Sequence, residues 1–194
     1  MLAKKLKDYN IILASGSPRR QSLLKDLDIN FSVKLKSIKE EYPDTLKAAE
    51  ITDYLSELKS KPYLKELNSN DILITSDTIV WLNNKALGKP KNYDEAFKML
   101  SSLSNTNHEV ITSVCISMGT QKNTIINDTV KVYFKELKQE EIDYYIKEYK
   151  PFDKAGSYGI QEWIGKIGIN RIEGSYFTVM GFPVHKLYKE LEKL

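Results

Sequence analysis

Two adjacent arginines follow a turn of small residues in the segment IILASGSPRRQSLL (residues 11–24). Its initial apolar run predicts a buried strand, and Pro18 after Ser17 is typical of a helix whose N-cap is the serine. A strand that turns into a helix N-terminus leaves backbone N–H groups unpaired, and with the helix dipole these groups can bind an anion. Arg19 and Arg20 add charges that grip phosphate oxygens in a two-pronged contact. The segment indicates phosphate binding, although an arginine pair exposed to solvent would give the same pattern.

An aspartate in the middle of an apolar strand is the second chemical signal. The segment DILITSDTIVWL (residues 71–82) is apolar on both faces, as expected of a central strand covered on two sides. Asp77 lies in its middle, and an ionised carboxylate is costly to bury unless it is paired, hydrogen-bonded or bound to a metal. Asp77 is therefore a candidate functional group. The alternative is an aspartate that closes a strand end by accepting hydrogen bonds from loop amides.

Isolated charges elsewhere supply further candidates. Glu40 and Glu41 lie in one loop, Lys59 lies near a bend before Pro62, and Lys89 lies between a glycine and a proline. Such cations and carboxylates suit a polyphosphate with a divalent ion, because phosphoryl chemistry depends on positioning and charge neutralisation. Oxygen ligands without histidine or cysteine clusters favour Mg²⁺ or Mn²⁺ over zinc.

Composition and motif content argue against several other classes. The 194-residue chain carries a net charge of +3 with its lysines spread out, which argues against an extended nucleic-acid interface. A single cysteine, Cys115, excludes a disulfide framework and indicates a reducing cytoplasm. There is no Walker loop, dinucleotide-binding turn or GxSxG elbow, and His108 and His185 are interpreted as structural. No segment resembles a signal peptide or approaches membrane-spanning length.

The elements that must position these residues alternate between strands and helices. The pattern predicts a hairpin turn at Asn83-Asn84 and helix caps at Asp44 or Thr45. Predicted strands cover 28–35, 71–82, 109–118 and 124–134 (with a turn at Gly119-Thr120), and a final hairpin covers 169–179. Predicted helices begin at residues 18 and 46 and cover 93–103, 139–149 and 183–194. Parallel-type and hairpin connections both occur, which predicts a single α/β or α+β domain over residues 1–194 with a central mixed sheet.

Several short motifs occur in a fixed order along nearly the whole chain: LASGSPRR, the two-acid loop, SDTIV, LGKP, SxxxHEVIT, DKAGSYGIQ and GSYFTVMGFPV. As an ordered set they resemble the Maf family of nucleotide pyrophosphatases. The resemblance implies an α/β fold with an elongated mixed sheet flanked by helices, in two lobes with a central cleft, similar to inosine triphosphatases. It also implies hydrolysis of a nucleoside triphosphate to the monophosphate and pyrophosphate, with a divalent metal cation (Mg²⁺ or Mn²⁺) as cofactor.

The family pattern assigns phosphate binding to Ser15, Arg19 and Arg20. It assigns catalytic roles to two lysines, of which Lys59 lies on a helix and Lys89 follows the LG dipeptide. Lys61 is an alternative for the helix lysine.

The same pattern makes Asp77 the catalytic proton acceptor toward water. The family's loop carboxylate matches Glu40, with Glu41 as the alternative, and Glu40 with Asp77 would hold the metal.

In the branch of the family that acts on dTTP and UTP, three positions set base selectivity, and Arg19, Thr78 and Gln161 agree with that branch. The chain departs from the family pattern directly after Gln161, where Glu162 and Trp163 replace the small, glycine-rich residues of many members.

The leading hypothesis is thus a cytoplasmic, metal-dependent dTTP/UTP pyrophosphatase, whose substrates could include modified pyrimidine nucleotides. Its partner would be a nucleoside triphosphate, with no nucleic acid and no membrane; a homodimer is left open. Two alternatives remain: a nucleotide-binding regulator of cell division with weak hydrolysis, and a pyrophosphatase for a modified purine triphosphate.

Overall fold

A seven-stranded mixed sheet organises the computed structural model, which describes residues 2–119 and 123–194. The strand order is β2-β1-β3-β5-β6-β7, and β4 pairs with β3 outside this path. Strand β1 pairs in parallel with β2 and β3, whereas the β3–β4 and β6–β7 pairs are antiparallel. The strands are β1 (Asn10–Leu13), β2 (Ser32–Val33), β3 (Asp71–Leu82), β4 (Lys85–Leu87), β5 (Asn107–Met118), β6 (Thr124–Phe134) and β7 (Ile169–Glu173). The predicted α/β class with a mixed sheet is confirmed.

The described ranges contain eight α-helices of four to twelve residues. They are α1 (Leu2–Lys5), α2 (Pro18–Lys25), α3 (Ala49–Ser60), α4 (Tyr93–Leu103), α5 (Gln139–Tyr149), α6 (Trp163–Gly168), α7 (Tyr176–Val179) and α8 (Val184–Leu191). Two 3-10 helices, Lys61–Glu66 and Ala155–Ser157, complete the set. Within the described ranges, no helix has the length and apolar character needed to cross a membrane.

The described residues group into two compact units. The first comprises the described parts of residues 1–77, 112–128 and 181–194, and the second comprises residues 78–111 and 129–180. In the first unit, Ile12 and Leu73 from neighbouring strands pack with Tyr63 of the first 3-10 helix. In the second unit, the core includes Leu100 of α4 and Tyr145 of α5, both fully buried. Each unit therefore has apolar packing of its own.

Several predicted elements have the expected bounds, because their hydrophobic period was uninterrupted. Strands β3 and β6 and helices α4 and α5 match the predicted ranges residue for residue. Asn83 and Asn84 both have left-handed φ angles, of 49° and 61°, and connect β3 to β4. Such angles are those of a type I′ hairpin turn. Of the turn predicted at Gly119-Thr120, Thr120 lies outside the described residues.

Other predicted elements are wrong in extent or type. The strand predicted over 28–35 is only two exposed residues long: Ile29 is buried, but Val33 and Leu35 at the other end of the alternation are exposed. The predicted hairpin over 169–179 contains a single strand, β7, which pairs with β6; after Gly174 (φ 127°) the chain forms α7. Helix α3 is preceded by Ala48 rather than capped by Asp44 or Thr45, and α8 ends at Leu191.

Candidate active site

The ammonium group of Lys59 contacts two carboxylates that come from other segments of the first unit. Nζ of Lys59, on the last turn of α3, lies 2.6 Å from Oδ1 of Asp77 in β3. The same Nζ lies 3.2 Å from Oε1 of Glu40, in the loop after β2. Asp77 and Lys59 are largely buried, with 8% and 16% of their side chains exposed, whereas Glu40 is half exposed. The pairing offsets the cost of burying the Asp77 charge.

Arg20 lies beside this group and is held by two backbone carbonyls. Its Nη1 donates to the carbonyl of Ser76 at 2.9 Å, and its Nε donates to the carbonyl of Gly181 at 2.9 Å. Ser76 directly precedes Asp77, so the contact places the guanidinium next to the candidate catalytic aspartate. Burial lowers the pKa of Arg20, while the nearby Asp77 and Glu40 carboxylates act in the opposite direction. Arginine stays protonated in proteins, so Arg20 remains a fixed positive charge.

The turn before α2 is built around the Ser15 hydroxyl. Ser15 is buried, and its Oγ accepts from the Ser17 N–H at 3.3 Å and from Arg20 Nη1 at 3.5 Å. Ser17 occupies the predicted N-cap position and Pro18 begins the helix, but the Ser17 side chain makes no capping hydrogen bond. The predicted helix start and N-cap position are therefore confirmed.

The geometry distinguishes the alternatives for the carboxylate and the helix lysine. Glu41 pairs with Lys39 at 2.6 Å, and both side chains are mainly exposed. Lys61 is exposed, and its Nζ lies 5.9 Å from the centre of the Tyr54 ring. Of the two carboxylates and the two lysines, Glu40 and Lys59 therefore belong to the group around Asp77.

Of the remaining predicted site residues, Arg19 lies on α2 in the first unit, and the other three belong to the second unit. Thr78 is half-buried and follows Asp77 along β3. Lys89 is exposed in the loop after β4, which is tied to the 3-10 helix Ala155–Ser157 because the Gly156 N–H donates to the Gly88 carbonyl at 3.0 Å. The roles of these residues in phosphate or base recognition stay predictions.

Gln161 lines a pocket of about 370 Å³ in the second unit, together with Lys166, Arg171 and Tyr176. Its side-chain carbonyl oxygen, Oε1, is buried and accepts no hydrogen bond within the described part of the chain. An unsatisfied buried acceptor is uncommon, since it costs about 1–3 kcal/mol. The amide is therefore a candidate ligand-binding group.

Sequence reasoning missed the groups that hold these side chains in place. The carbonyls of Ser76 and Gly181 anchor Arg20, and any residue type offers a carbonyl, so only the tertiary structure reveals them. Gly181 has a φ of 97°. The sequence signal for this position was the glycine before Phe182 in the GSYFTVMGFPV segment. In the second unit, Tyr145 and Lys154 contact Glu162. The sequence signal for these contacts was the departure from the family pattern at Glu162.

Two carboxylates of the candidate site could hold a divalent metal. Within the described ranges, no group of three or more His, Cys, Asp or Glu side chains is placed to hold a metal ion. Asp77 and Glu40 nevertheless converge on one cation, the Lys59 ammonium. Mg²⁺ is usually bound by one or two carboxylates together with substrate phosphates rather than by an all-protein cage. The residues therefore fit a metal that is completed by the phosphates of a nucleotide.

Comparison with solved structures places the fold among the Ham1 proteins. The Staphylococcus aureus Ham1 protein is similar with a TM-score of 0.53, at 16% identity and with 95% of this chain and 98% of that chain covered. The Coxiella burnetii HAM1 protein gives a TM-score of 0.51 at 15% identity, with 96% and 100% covered. At these identities the likeness concerns the fold alone.

Sequence comparison then gives the family. The model of the Maf-like protein family matches residues 10–194, and the chain therefore belongs to this family. A relative from Flavobacterium johnsoniae, named dTTP/UTP pyrophosphatase, is 58% identical over 194 residues and covers all of both chains. A relative of the same name from Christiangramia forsetii is 56% identical over 196 residues, with 100% of this chain and 98% of that protein covered. The resemblance inferred from the ordered motifs is confirmed.

Proposed function

We propose that this chain hydrolyses dTTP and UTP to the nucleoside monophosphate and pyrophosphate. The observation that carries the proposal is the contact of Lys59 with both Asp77 and Glu40, beside Arg20. Two cations and two carboxylates from distant segments give a group able to neutralise phosphates and to accept a proton. Relatives of high identity that match the full length of this chain bear the name of this activity.

Asp77 is the proposed proton acceptor. Water would add its oxygen to the α-phosphorus, the bond to the bridging oxygen would break, and pyrophosphate would leave. Lys59 donates a hydrogen bond to Oδ1 of Asp77 and so orients the carboxylate that takes the proton from water. Arg20, Lys59 and Lys89 would neutralise the triphosphate, with Ser15 and Arg19 in the first phosphate-binding turn.

Glu40 and Asp77 are the proposed ligands of a divalent cation, Mg²⁺ or Mn²⁺. When bound, the ion would neutralise phosphate charge and favour departure of pyrophosphate. The two carboxylates would bind the metal, and the Lys59 ammonium beside them would contact a phosphate oxygen.

Arg19, Thr78 and Gln161 are the proposed base-reading residues. The edge of uracil or thymine offers an N–H donor between two carbonyl acceptors, and the Gln161 amide carries one acceptor and two donors. Its Oε1 accepts no hydrogen bond from the described residues, so an N–H donor on the base would satisfy it.

The experiment is pyrophosphate release measured over a panel of canonical and modified nucleoside triphosphates with Mg²⁺ and with Mn²⁺. We expect the highest kcat/KM for dTTP and UTP and little release without metal. Binding of nucleotides without release would instead favour the regulator of cell division, and preference for a modified purine would favour the third hypothesis.

The proposed setting is the cytoplasm, in which the lone buried Cys115 would stay reduced. The proposed partner is the nucleoside triphosphate, without nucleic acid, and a homodimer stays open. Sedimentation of the purified chain measures the oligomeric state directly.

A further inference from the structure

One hydroxyl group in the second unit closes the loop that carries Gln161. Oη of Tyr145, on α5, accepts a hydrogen bond from the Gly159 N–H at 3.1 Å and donates a short one to Oε2 of Glu162. A tyrosine hydroxyl can donate and accept at once, so a single buried group binds both sides of the loop. The Glu162 N–H also donates to the Gly159 carbonyl at 3.0 Å, which closes the turn from within.

A buried lysine holds the other oxygen of the same carboxylate. Nζ of Lys154 lies 3.1 Å from Oε1 of Glu162 and 2.7 Å from Oδ1 of Asp153. Only 9% of the Lys154 side chain is exposed, against 64% for Asp153. A buried ammonium requires a buried counter-charge, so Glu162 is fixed by an ion pair as well as by the Tyr145 hydroxyl.

Gln161 lies between the two fixed residues, and its side chain packs against the nearer backbone. A Cβ added at Gly159 would lie 3.2 Å from the Gln161 amide nitrogen and 2.9 Å from Cδ of Glu162. The glycine therefore leaves just enough space for these side chains. With Oε1 unsatisfied by the described residues, the packing of its neighbours sets where the Gln161 amide lies.

We propose that Tyr145, Lys154 and Glu162 are positioning residues that set the base selectivity of the reaction by holding Gln161 in one orientation. The inference rests on the proposed function, because it needs Gln161 to face the base. It also assigns a role to Glu162, which replaces the small residue found in many family members. Preorganised groups need such support, since an unsupported amide would rotate and accept either base edge.

The test measures kcat and KM for UTP and for a non-cognate triphosphate, CTP, in Tyr145→Phe, Glu162→Gln and Gln161→Ala. We expect each variant to reduce the UTP-to-CTP ratio of kcat/KM by roughly tenfold, the scale of one lost contact with the base. The loss should fall on KM, with kcat at saturating UTP within about threefold of wild type, because the phosphate chemistry involves other residues.

Double variants distinguish a positioning role of Tyr145 from general damage to the protein structure. Because Tyr145 acts through Gln161 in this proposal, Tyr145→Phe should change the ratio no further when added to Gln161→Ala. Tyr144→Phe is the matched control, since Tyr144 is the next residue on the same helix but is 48% exposed, and it should leave the ratio unchanged. If Tyr145→Phe fails to fold, the same double-variant comparison is made with Glu162→Gln.

The outcomes separate the two proposals. A ratio that falls in Gln161→Ala but stays at the wild-type value in both Tyr145→Phe and Glu162→Gln overturns the positioning role and leaves the proposed function standing. Effects of the two variants that add fully to that of Gln161→Ala also overturn it. A ratio unchanged in Gln161→Ala itself overturns the base-reading role, and absence of pyrophosphate release in the wild type overturns the proposed function.

Discussion

Nζ of Lys59 lies 2.6 Å from Oδ1 of Asp77, and this contact joins the end of helix α3 to the middle of strand β3. Both side chains are largely buried, so removal of either one would leave the charge of the other buried without this partner. The same ammonium reaches Glu40 at 3.2 Å, which makes Lys59 the centre of the candidate site. A nucleotide with its metal would compete for these groups.

Replacing Asp77 by asparagine should abolish most turnover without unfolding the protein. Removal of a general base typically costs about 10²- to 10⁴-fold in rate, and asparagine has the same shape. The measurement is kcat for UTP, together with a thermal unfolding curve. Asp71→Asn is the matched control, because Asp71 is a buried aspartate on the same strand that accepts hydrogen bonds from Asn10 and Asn68. The control should lose stability and keep kcat; an Asp77→Asn rate within about threefold of wild type would contradict the assignment.

Glu40→Gln should raise the concentration of Mn²⁺ or Mg²⁺ needed for half-maximal activity, whereas Glu41→Gln should not. The two residues are neighbours in one loop, but only Glu40 approaches Lys59, and Glu41 forms an exposed pair with Lys39. Loss of one of two metal-binding carboxylates removes a charge from the site, and we expect a shift of at least about tenfold. The readout is a metal titration of pyrophosphate release. Equal shifts for the two variants would count against Glu40 as the ligand.

Lys59→Met should lower kcat/KM far more than Lys61→Met. Methionine keeps most of the side-chain volume and removes the charge that contacts Asp77 and Glu40. Loss of one preorganised group that stabilises the transition state typically costs about 10²- to 10³-fold. Lys61 is exposed, with its Nζ 5.9 Å from the centre of the Tyr54 ring, so its variant serves as the control. Similar kinetics for the two variants would show that the Lys59 charge is not used.

The sequence was sufficient for the elements with an uninterrupted hydrophobic period and for the grouping of Asp77 with Arg20. β3 reads as a buried strand because it is apolar on both faces, and all but two of its twelve residues are buried. The choice between Lys59 and Lys61 could not be made from the sequence, because it depends on where α3 ends: Lys59 lies on its last turn, and Lys61 begins the 3-10 helix that follows.

Long-range and backbone-mediated contacts were not predictable for a different reason. The carbonyl of Gly181 contacts Arg20 across 161 positions of the chain, and no side-chain pattern encodes a carbonyl. Instead of the strand expected to return over 175–179, the chain forms α7, and β7 pairs with β6. Strand pairing depends on tertiary contacts, which the local pattern does not encode.

Gly156→Ala should destabilise the second unit, whereas Gly88→Ala should be nearly neutral. Gly156 has a φ of 67°, and an added Cβ would lie 2.7 Å from Cγ2 of Val80. A left-handed alanine costs about 1–2 kcal/mol and overpacking typically costs about 1–3 kcal/mol more, so a loss of at least about 2 kcal/mol is expected. At Gly88 an added Cβ meets nothing within 4 Å, although this glycine bonds to Gly156. Urea unfolding measures both, and equal stabilities would refute the steric argument.

The stability of the protein should fall as the pH drops from about 6.5 to 4, because His108 is buried in the neutral form. Burial lowers the pKa of His108 to about 4, and its Nε2 lies 2.7 Å from the Tyr158 hydroxyl. In the unfolded chain the ordinary value is about 6.5, so in this window the unfolded state binds a proton that the folded state does not. The stability is fully present above that window, and up to about 3 kcal/mol is lost across it.

His108→Gln removes this titration while leaving an amide to contact Tyr158. The variant should be less stable than wild type at pH 7.5, and the gap should narrow as the pH falls to 4. The carboxylates titrate in both proteins, so the difference between the two profiles isolates His108. Denaturant midpoints measured at half-unit pH steps give both profiles. Curves that remain parallel from pH 7.5 to 4 would mean that His108 gains its proton without cost in the folded state.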